Sequence, residues 1–178
     1  MPKRKLVVLI PCHNEADGIT NVINKLPLPM LQHNNFKVKV IVIDNCSTDD
    51  TAKVARAAGA TVIKENKKGK GNAIRTGFRA VPKDTDFVVM LDGDDTYDGG
   101  EITRMIEPLM NDFCSVVIGS RLGGKMHAGA MRTFNRAGNW FFTHIVRVYY
   151  RVNVTDVLTG YFAWKKEKLD ELVPHLVS

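Results

Sequence analysis

The strongest constraint on the fold of this chain is an alternation repeated along its length. A short apolar run stops at polar or acidic residues, and a stripe of apolar residues at helical spacing comes next. Leu6 to Ile10 stops at Pro11-Cys12-His13-Asn14-Glu15, after which Ile19, Val22, Ile23 and Leu26 lie on one helical face. Val38 to Ile43 stops at Asp44-Asn45-Cys46-Ser47-Thr48-Asp49, and Thr51, Val54, Ala55 and Ala58 come after it, with Gly59 placed to close that helix. Ala60 to Lys64 leads through a Lys/Gly-rich stretch to Ile74, Gly77, Phe78 and Val81, and Val88 to Leu91 leads through acids to Ile102, Met105, Ile106 and Leu109. Val116 to Gly119 reads as a fifth strand, ending at Ser120-Arg121. Pro27 and Pro29 are expected to stop the first helix. The pattern predicts an α/β fold, a parallel sheet with helices on its faces and right-handed crossovers.

In such sheets ligands bind beyond the carboxyl ends of the strands, so Asp92, Asp94 and Asp95 emerge where chemistry is expected. Asp92 and Asp94, two residues apart on extended chain, point the same way and can converge on one hard cation, while Gly93 admits close approach to the backbone. The competing reading is an acidic turn that caps the next helix.

The length of 178 residues suits one domain, and the net charge of +6 favours an anionic partner without naming it. The three cysteines, Cys12, Cys46 and Cys114, lack metal-type spacing, which favours reduced thiols in the cytosol; pairing of Cys12 with Cys46 under oxidation is a further expectation. No secretory signal is read at the start, because the apolar run ends at Pro11. No run of about 18 apolar residues occurs.

Leu122 to Met131 is Gly-rich and polar, and reads as a mobile loop. Arg132 to Arg151 reads as a helix carrying Trp140, Phe141, Phe142, Tyr149 and Tyr150 among arginines. Two readings stand: a membrane interface, or a core helix with snorkelling arginines. Thr155-Asp156-Val157-Leu158-Thr159-Gly160 then precedes an apolar strand, Tyr161 to Trp164, and a last stripe of Leu169, Leu172, Val173 and Leu176.

The residues just past each strand exclude several α/β machines. The first strand leads into neither G-x-G-x-x-G nor G-x-x-x-x-G-K-[ST], nor into the Gly-rich basic loop of a nucleotidyltransferase, and a receiver domain's acid is absent after the third strand. There remains an order: Pro11-Cys12-His13-Asn14-Glu15, Asp44 to Thr51, Gly69-Lys70-Gly71-Asn72-Ala73, Asp92-Gly93-Asp94, Gly119-Ser120-Arg121, then Asp156 with Thr159-Gly160. This ordered set resembles the family 2 glycosyltransferases of the GT-A fold. Within them it is most similar to the branch moving a sugar from a nucleotide onto dolichyl or another polyprenyl phosphate, the dolichyl-phosphate mannose synthase type.

The resemblance implies a Rossmann-like, mostly parallel central sheet with helices on both faces, and one catalytic domain over residues 1–178. Relatives often continue into a membrane-associated tail, which leaves a C-terminal truncation open. By the same resemblance Pro11, Asn14, Glu15, Asp44 and Asn45, with Asp92, hold the nucleotide-sugar. Asp92 and Asp94 hold Mg2+ or Mn2+ against the donor diphosphate, with Thr96 a further contact and Asp95 a local turn acid. Arg121, Arg132 and Arg136 receive the acceptor phosphate, a task suited to guanidinium. Asp94, Asp156 and Arg132 are the expected catalytic set, Asp156 orienting the sugar or a basic neighbour.

The chain departs from the family's pattern at several positions: Cys46 stands where Gly is common, Asn45 where Asp is, and Asn135 where Ser is. Phe162 replaces an Arg often seen there, which puts in doubt a sugar contact from that segment. The implied reaction is inverting, the implied location is the cytoplasmic face of a membrane, and no nucleic-acid partner is expected. A hydroxyl-acceptor transferase and a nucleotide-sugar-binding module without turnover are the alternatives.

Overall fold

The computed structural model describes residues 2–120, 133–151 and 154–176. Strands β1 (Arg4–Cys12), β2 (Phe36–Asn45), β3 (Thr61–Glu65), β4 (Phe87–Met90), β5 (Val116–Ile118) and β6 (Phe162–Lys165) form one six-stranded sheet in the order β3-β2-β1-β4-β6-β5. The pairs β1·β2, β1·β4 and β2·β3 are parallel, whereas β6 runs antiparallel to both β4 and β5. The sheet is therefore mostly parallel, as expected, and the one reversal lies where the sequence alternation is interrupted by the longest helix.

Side chains of successive strand residues point to opposite faces, and β1 divides itself accordingly. Leu6, Val8 and Ile10 join a core shared with α1 (Ala16–Lys25), α2 (Leu28–His33) and α5 (Ile102–Met110), through Ile19, Leu31 and Ile106 among others. Val7 and Leu9 join a second core with α4 (Lys70–Ala80) and α7 (Lys166–Leu172), through Phe78 and Leu169. α3 (Thr51–Ala57) adds Ala55 to the first core. β4 is buried along its whole length, as an apolar run covered on both faces must be.

One short helix departs from expectation. Pro27 and Pro29 do end α1, but α2 begins at once, because proline in a first turn removes an N–H that has no helical partner anyway. The long helix α6 (Thr133–Tyr150) turns its polar residues inward. Its described residues bury Asn139 and Thr143 and expose Trp140, Val148, Tyr149 and Tyr150. No described helix is long and apolar enough to cross a membrane.

Candidate active site

The parallel strands β1, β2 and β4 end together, and past their ends lies an open cleft of about 370 Å³ lined by Pro11, Glu15, Asn45, Lys68, Lys70, Asp92 and Asp94, among others. Its floor is the turn after β4. Gly93 lies against the wall so closely that a Cβ would stand 2.5 Å from Cys12 Sγ, while a Cβ on Gly18 of α1 would stand 3.0 Å from the Gly93 carbonyl oxygen. The turn is thus held between β1 and α1, and Gly93 is required by packing on Cys12. Asp94 Oδ1 accepts the Thr96 backbone N–H at 3.0 Å, which bends the chain so that its carboxylate stays at the rim. Asp95 has φ 61° and both its oxygens take the Lys25 ammonium, at 2.8 and 2.7 Å, which makes it a turn acid tied to α1.

Asp92 is gripped from two sides. Lys70 Nζ lies 2.7 Å from its Oδ1. On the other side a Cβ at Gly160 would stand 2.1 Å from its Oδ2, so only glycine fits there. Asp92 and Asp94 supply hard oxygen donors, and Asp92 already carries a cation in the form of Lys70, so their chemistry fits a divalent ion completed by ligand oxygens and water. Among the described residues no group of three or more His, Cys, Asp or Glu is arranged for a metal.

The wall opposite is built by hydrogen bonds between loops. Asn45 donates to the Glu65 and Lys67 carbonyls at 3.3 and 2.8 Å and accepts from Gly69 N at 2.7 Å, pegging the end of β2 to the loop that starts α4. His13 Nδ1 donates to the Asn45 carbonyl at 2.9 Å. Asn14, at φ 58°, accepts from Thr48 N at 2.8 Å, and Asn14 N donates to Ser47 Oγ at 3.0 Å. Asp44 is buried behind the cleft, accepting from Ser47 N at 3.2 Å. Of the expected nucleotide-sugar residues, then, Pro11, Glu15, Asn45 and Asp92 face the cleft, and Asn14 and Asp44 brace its wall.

The cleft is acid-rich, and its electrostatics show it. Burial, then Asp94, Asp49 and Asp92, hold the Glu15 carboxyl above the ordinary carboxylate range, against a smaller lowering by His13. Burial, then Glu15, Asp44, Asp92 and Asp94, push the Cys12 thiol far up, so it stays protonated. Its pairing with Cys46 is not what the fold arranges. Cys12 is buried under Gly93 on the β4 side, whereas Cys46 Sγ donates to the Glu65 and Asn66 carbonyls at 3.3 and 3.2 Å on the β3 side, and both are free thiols.

Asp156 is 1 % exposed and accepts from Asn139 Nδ2 at 2.8 Å. The Asn139 oxygen in turn accepts from Leu158 N at 3.3 Å, and Thr143 Oγ1 accepts from Val157 N at 3.1 Å. This network hangs α6 on the loop that ends at Gly160, the residue against Asp92. Tyr97, buried, joins the same loop to the acidic turn: its hydroxyl accepts from Gly160 N and, at 3.3 Å, from Thr159 Oγ1. Sequence reasoning gave no role to Tyr97, Asn139 or Thr143. The four-residue spacing of Asn139 and Thr143, a polar stripe inside an aromatic helix, was the available signal. Arg121 and Arg132 lie outside the described residues, as do the expected loop at Leu122–Met131 and the side chains of Asn135 and Arg136.

The sequence profile of glycosyl transferase family 2 matches residues 7–173, a span that takes in every wall of this cleft. The chain is 36 % identical over 160 residues to the glycosyltransferase AglJ of Haloferax volcanii, covering 90 % of this chain and 50 % of AglJ. It is 30 % identical over 167 residues to a dolichyl-phosphate hexose transferase of the same organism, covering 94 % and 69 % respectively. Its fold superimposes on glucosyl-3-phosphoglycerate synthase of Mycobacterium tuberculosis, crystallised with Mn2+, UDP and glucosyl-3-phosphoglycerate, with a TM-score of 0.72 at 23 % identity, over 92 % of this chain and 57 % of that one. The fold is GT-A. The chain spans half the length of AglJ.

Proposed function

The chain belongs to glycosyl transferase family 2, and from that premise we propose that it transfers a hexose, with inversion, from a UDP- or GDP-linked donor to dolichyl or another polyprenyl phosphate at a membrane surface. One observation carries the reading. The loop that presses Gly160 against Asp92 also holds α6, through Asp156, so one loop joins the acidic floor of the cleft to the aromatic, basic helix. The similarity to a dolichyl-phosphate hexose transferase supports the acceptor, and the neighbour's complex with Mn2+ and UDP supports the donor and metal.

Asp92 and Asp94 would hold Mg2+ or Mn2+ against the donor's diphosphate. A divalent ion there supplies Lewis-acid neutralisation of the departing nucleoside diphosphate. The remaining work falls to the chain. Pro11, Glu15 and Asn45 line the nucleoside end of the cleft, Glu15 accepting hydrogen bonds from ribose or base donors. Asn14 and Asp44 hold that wall in place. From the sequence resemblance, Arg121, Arg132 and Arg136 receive the acceptor phosphate, whose oxygen attacks the anomeric carbon as the bond to the diphosphate breaks. An anionic acceptor needs no general base. Asp156, buried and bonded to Asn139, is suited to orienting α6 and its arginines, not to drawing a proton from a substrate hydroxyl.

Transfer of labelled hexose from UDP- and GDP-sugars to a short polyprenyl phosphate, with the uncharged polyprenol in parallel, tests this. Transfer is expected to the phosphate alone, and Asp94→Asn is expected to lower it on the order of 100-fold. Transfer to the free alcohol at equal rate would sink the acceptor assignment, and full activity of Asp94→Asn would sink the metal site.

A further inference from the structure

The reaction as proposed leaves Gly69-Lys70-Gly71-Asn72-Ala73 without a role, yet its lysine makes a direct charge contact on the cleft floor. We propose that Lys70 is an exchangeable cation, neutralising Asp92 in the ligand-free enzyme and moving onto the donor's diphosphate when a divalent ion takes that carboxylate. The inference rests on the donor and metal reading above.

Three features carry it. First, the two partners differ in freedom. Lys70 is 58 % exposed on a flexible stem, whereas Asp92 is 21 % exposed and confined by Gly160, so the lysine is the member that can leave. Second, the root of the lysine is anchored where a phosphate would be met. Gly69, at φ 130°, a conformation that glycine adopts readily, donates its N–H to Asn45 Oδ1 at 2.7 Å, and α4 begins at Lys70 on the cleft wall. The side chain can therefore swing while its backbone stays in register with β2. Third, the charges require an exchange. Glu15, Asp92 and Asp94 share the cleft, and one ammonium on Asp92 relieves their repulsion only partly. A divalent ion on Asp92 and Asp94 does so more fully and frees the ammonium, which then offsets the negative charge that a diphosphate brings. Lysine suits this better than arginine would, being a compact point charge on a flexible stem and not a planar fork that locks onto a carboxylate.

The test is binding of Mn2+ alone to the full chain, read from the paramagnetic resonance signal of free Mn2+, followed by binding of UDP and of GDP at saturating Mn2+. Lys70→Met keeps the stem and removes the charge. It is expected to bind Mn2+ roughly three- to fivefold more tightly than the parent, the range of an exposed ion pair released. It is also expected to bind the preferred nucleoside diphosphate about tenfold more weakly, the loss of a charge-assisted contact to phosphate. Lys70→Arg, whose planar fork holds the Asp92 carboxylate more firmly, is expected to bind Mn2+ more weakly than the parent. Equal Mn2+ affinity in the parent and Lys70→Met overturns the exchange while leaving the metal site standing. Unchanged diphosphate affinity in Lys70→Met overturns the second half of the movement. If neither protein binds Mn2+, the metal reading and the exchange fall together.

Discussion

At the scale of single residues, the site depends on what is left out as much as on what is present. Gly160 carries no special backbone angle, so its requirement is purely steric: a methyl group there would stand 2.1 Å from Asp92 Oδ2 and 2.6 Å from its Cγ. Because the Tyr97 hydroxyl holds Gly160 N from below, the loop cannot relax away without breaking that buried bond, and Asp92 must move instead. Gly160→Ala is therefore expected to fold cooperatively, losing about 1–3 kcal/mol to overpacking. It is also expected to lose the thermal stabilisation that UDP or GDP with Mn2+ confers on the parent. A variant that keeps both the ligand-induced shift and its turnover would show that Asp92 needs no fixed position.

At the scale of elements, Asp49 shows how two helices are joined by one carboxylate. Its Oδ2 accepts from Ala16 N at 3.1 Å and its Oδ1 from Thr51 N at 3.0 Å, so it serves the first residues of both α1 and α3. The Thr51 hydroxyl, which also donates to it, is the main reason its carboxyl lies below its ordinary value of 3.8. With the folded pKa below the unfolded one, the unfolded chain binds more protons between the two values. The stabilisation is complete above the unfolded pKa and is lost as pH falls through the folded one. Asp49→Asn is expected to lower Tm by about 2–4 °C at neutral pH and to flatten the acid limb of the Tm–pH curve, measured by calorimetry; an unchanged acid limb would place the cap elsewhere. Most elements were legible from apolar spacing alone, as the placement of β4 and α5 shows. Strand ends were not: β1 runs on to Cys12 and β2 to Asn45, because ladder hydrogen bonds continue where apolar side chains stop. Nor was the reversal of β6, since burial of Ala163 and Trp164 is the same whichever way the strand runs. Within the site, the acids of the β4 turn were legible as strand-end residues, whereas the roles of Tyr97 and Asn139 depend on contacts across 63 and 17 residues that no local pattern encodes.

At the scale of the whole molecule, charge and apolar surface coincide. Residues 113–155 hold Arg121, Lys125, Arg132, Arg136, Arg147 and Arg151 and not one Asp or Glu, so the net +6 resides in this segment and the rest of the chain is balanced. The same segment contains α6, with Trp140 67 % and Tyr149 80 % exposed while Asn139 and Thr143 are buried. A helix that buries its polar stripe and exposes aromatic rings beside arginines is suited to an interface that is apolar within and anionic at its surface. The sequence readings of α6 as interface or core thus part company: its aromatic face is not in the core. The expectation is binding to vesicles containing anionic lipid, weakening as salt is raised, with little binding to purely zwitterionic vesicles. Trp140 reports it directly. The second tryptophan, Trp164, is buried against Phe78 and Phe162, so a blue shift in emission on adding vesicles belongs to α6. Replacing Arg147 and Arg151, neither of which lines the cleft, by Glu is expected to abolish the salt-sensitive part of binding while leaving Mn2+ affinity unchanged. Absence of pelleting at low salt, together with a concentration-dependent dimer in sedimentation, would assign the aromatic face to a second copy of the chain and not to a membrane.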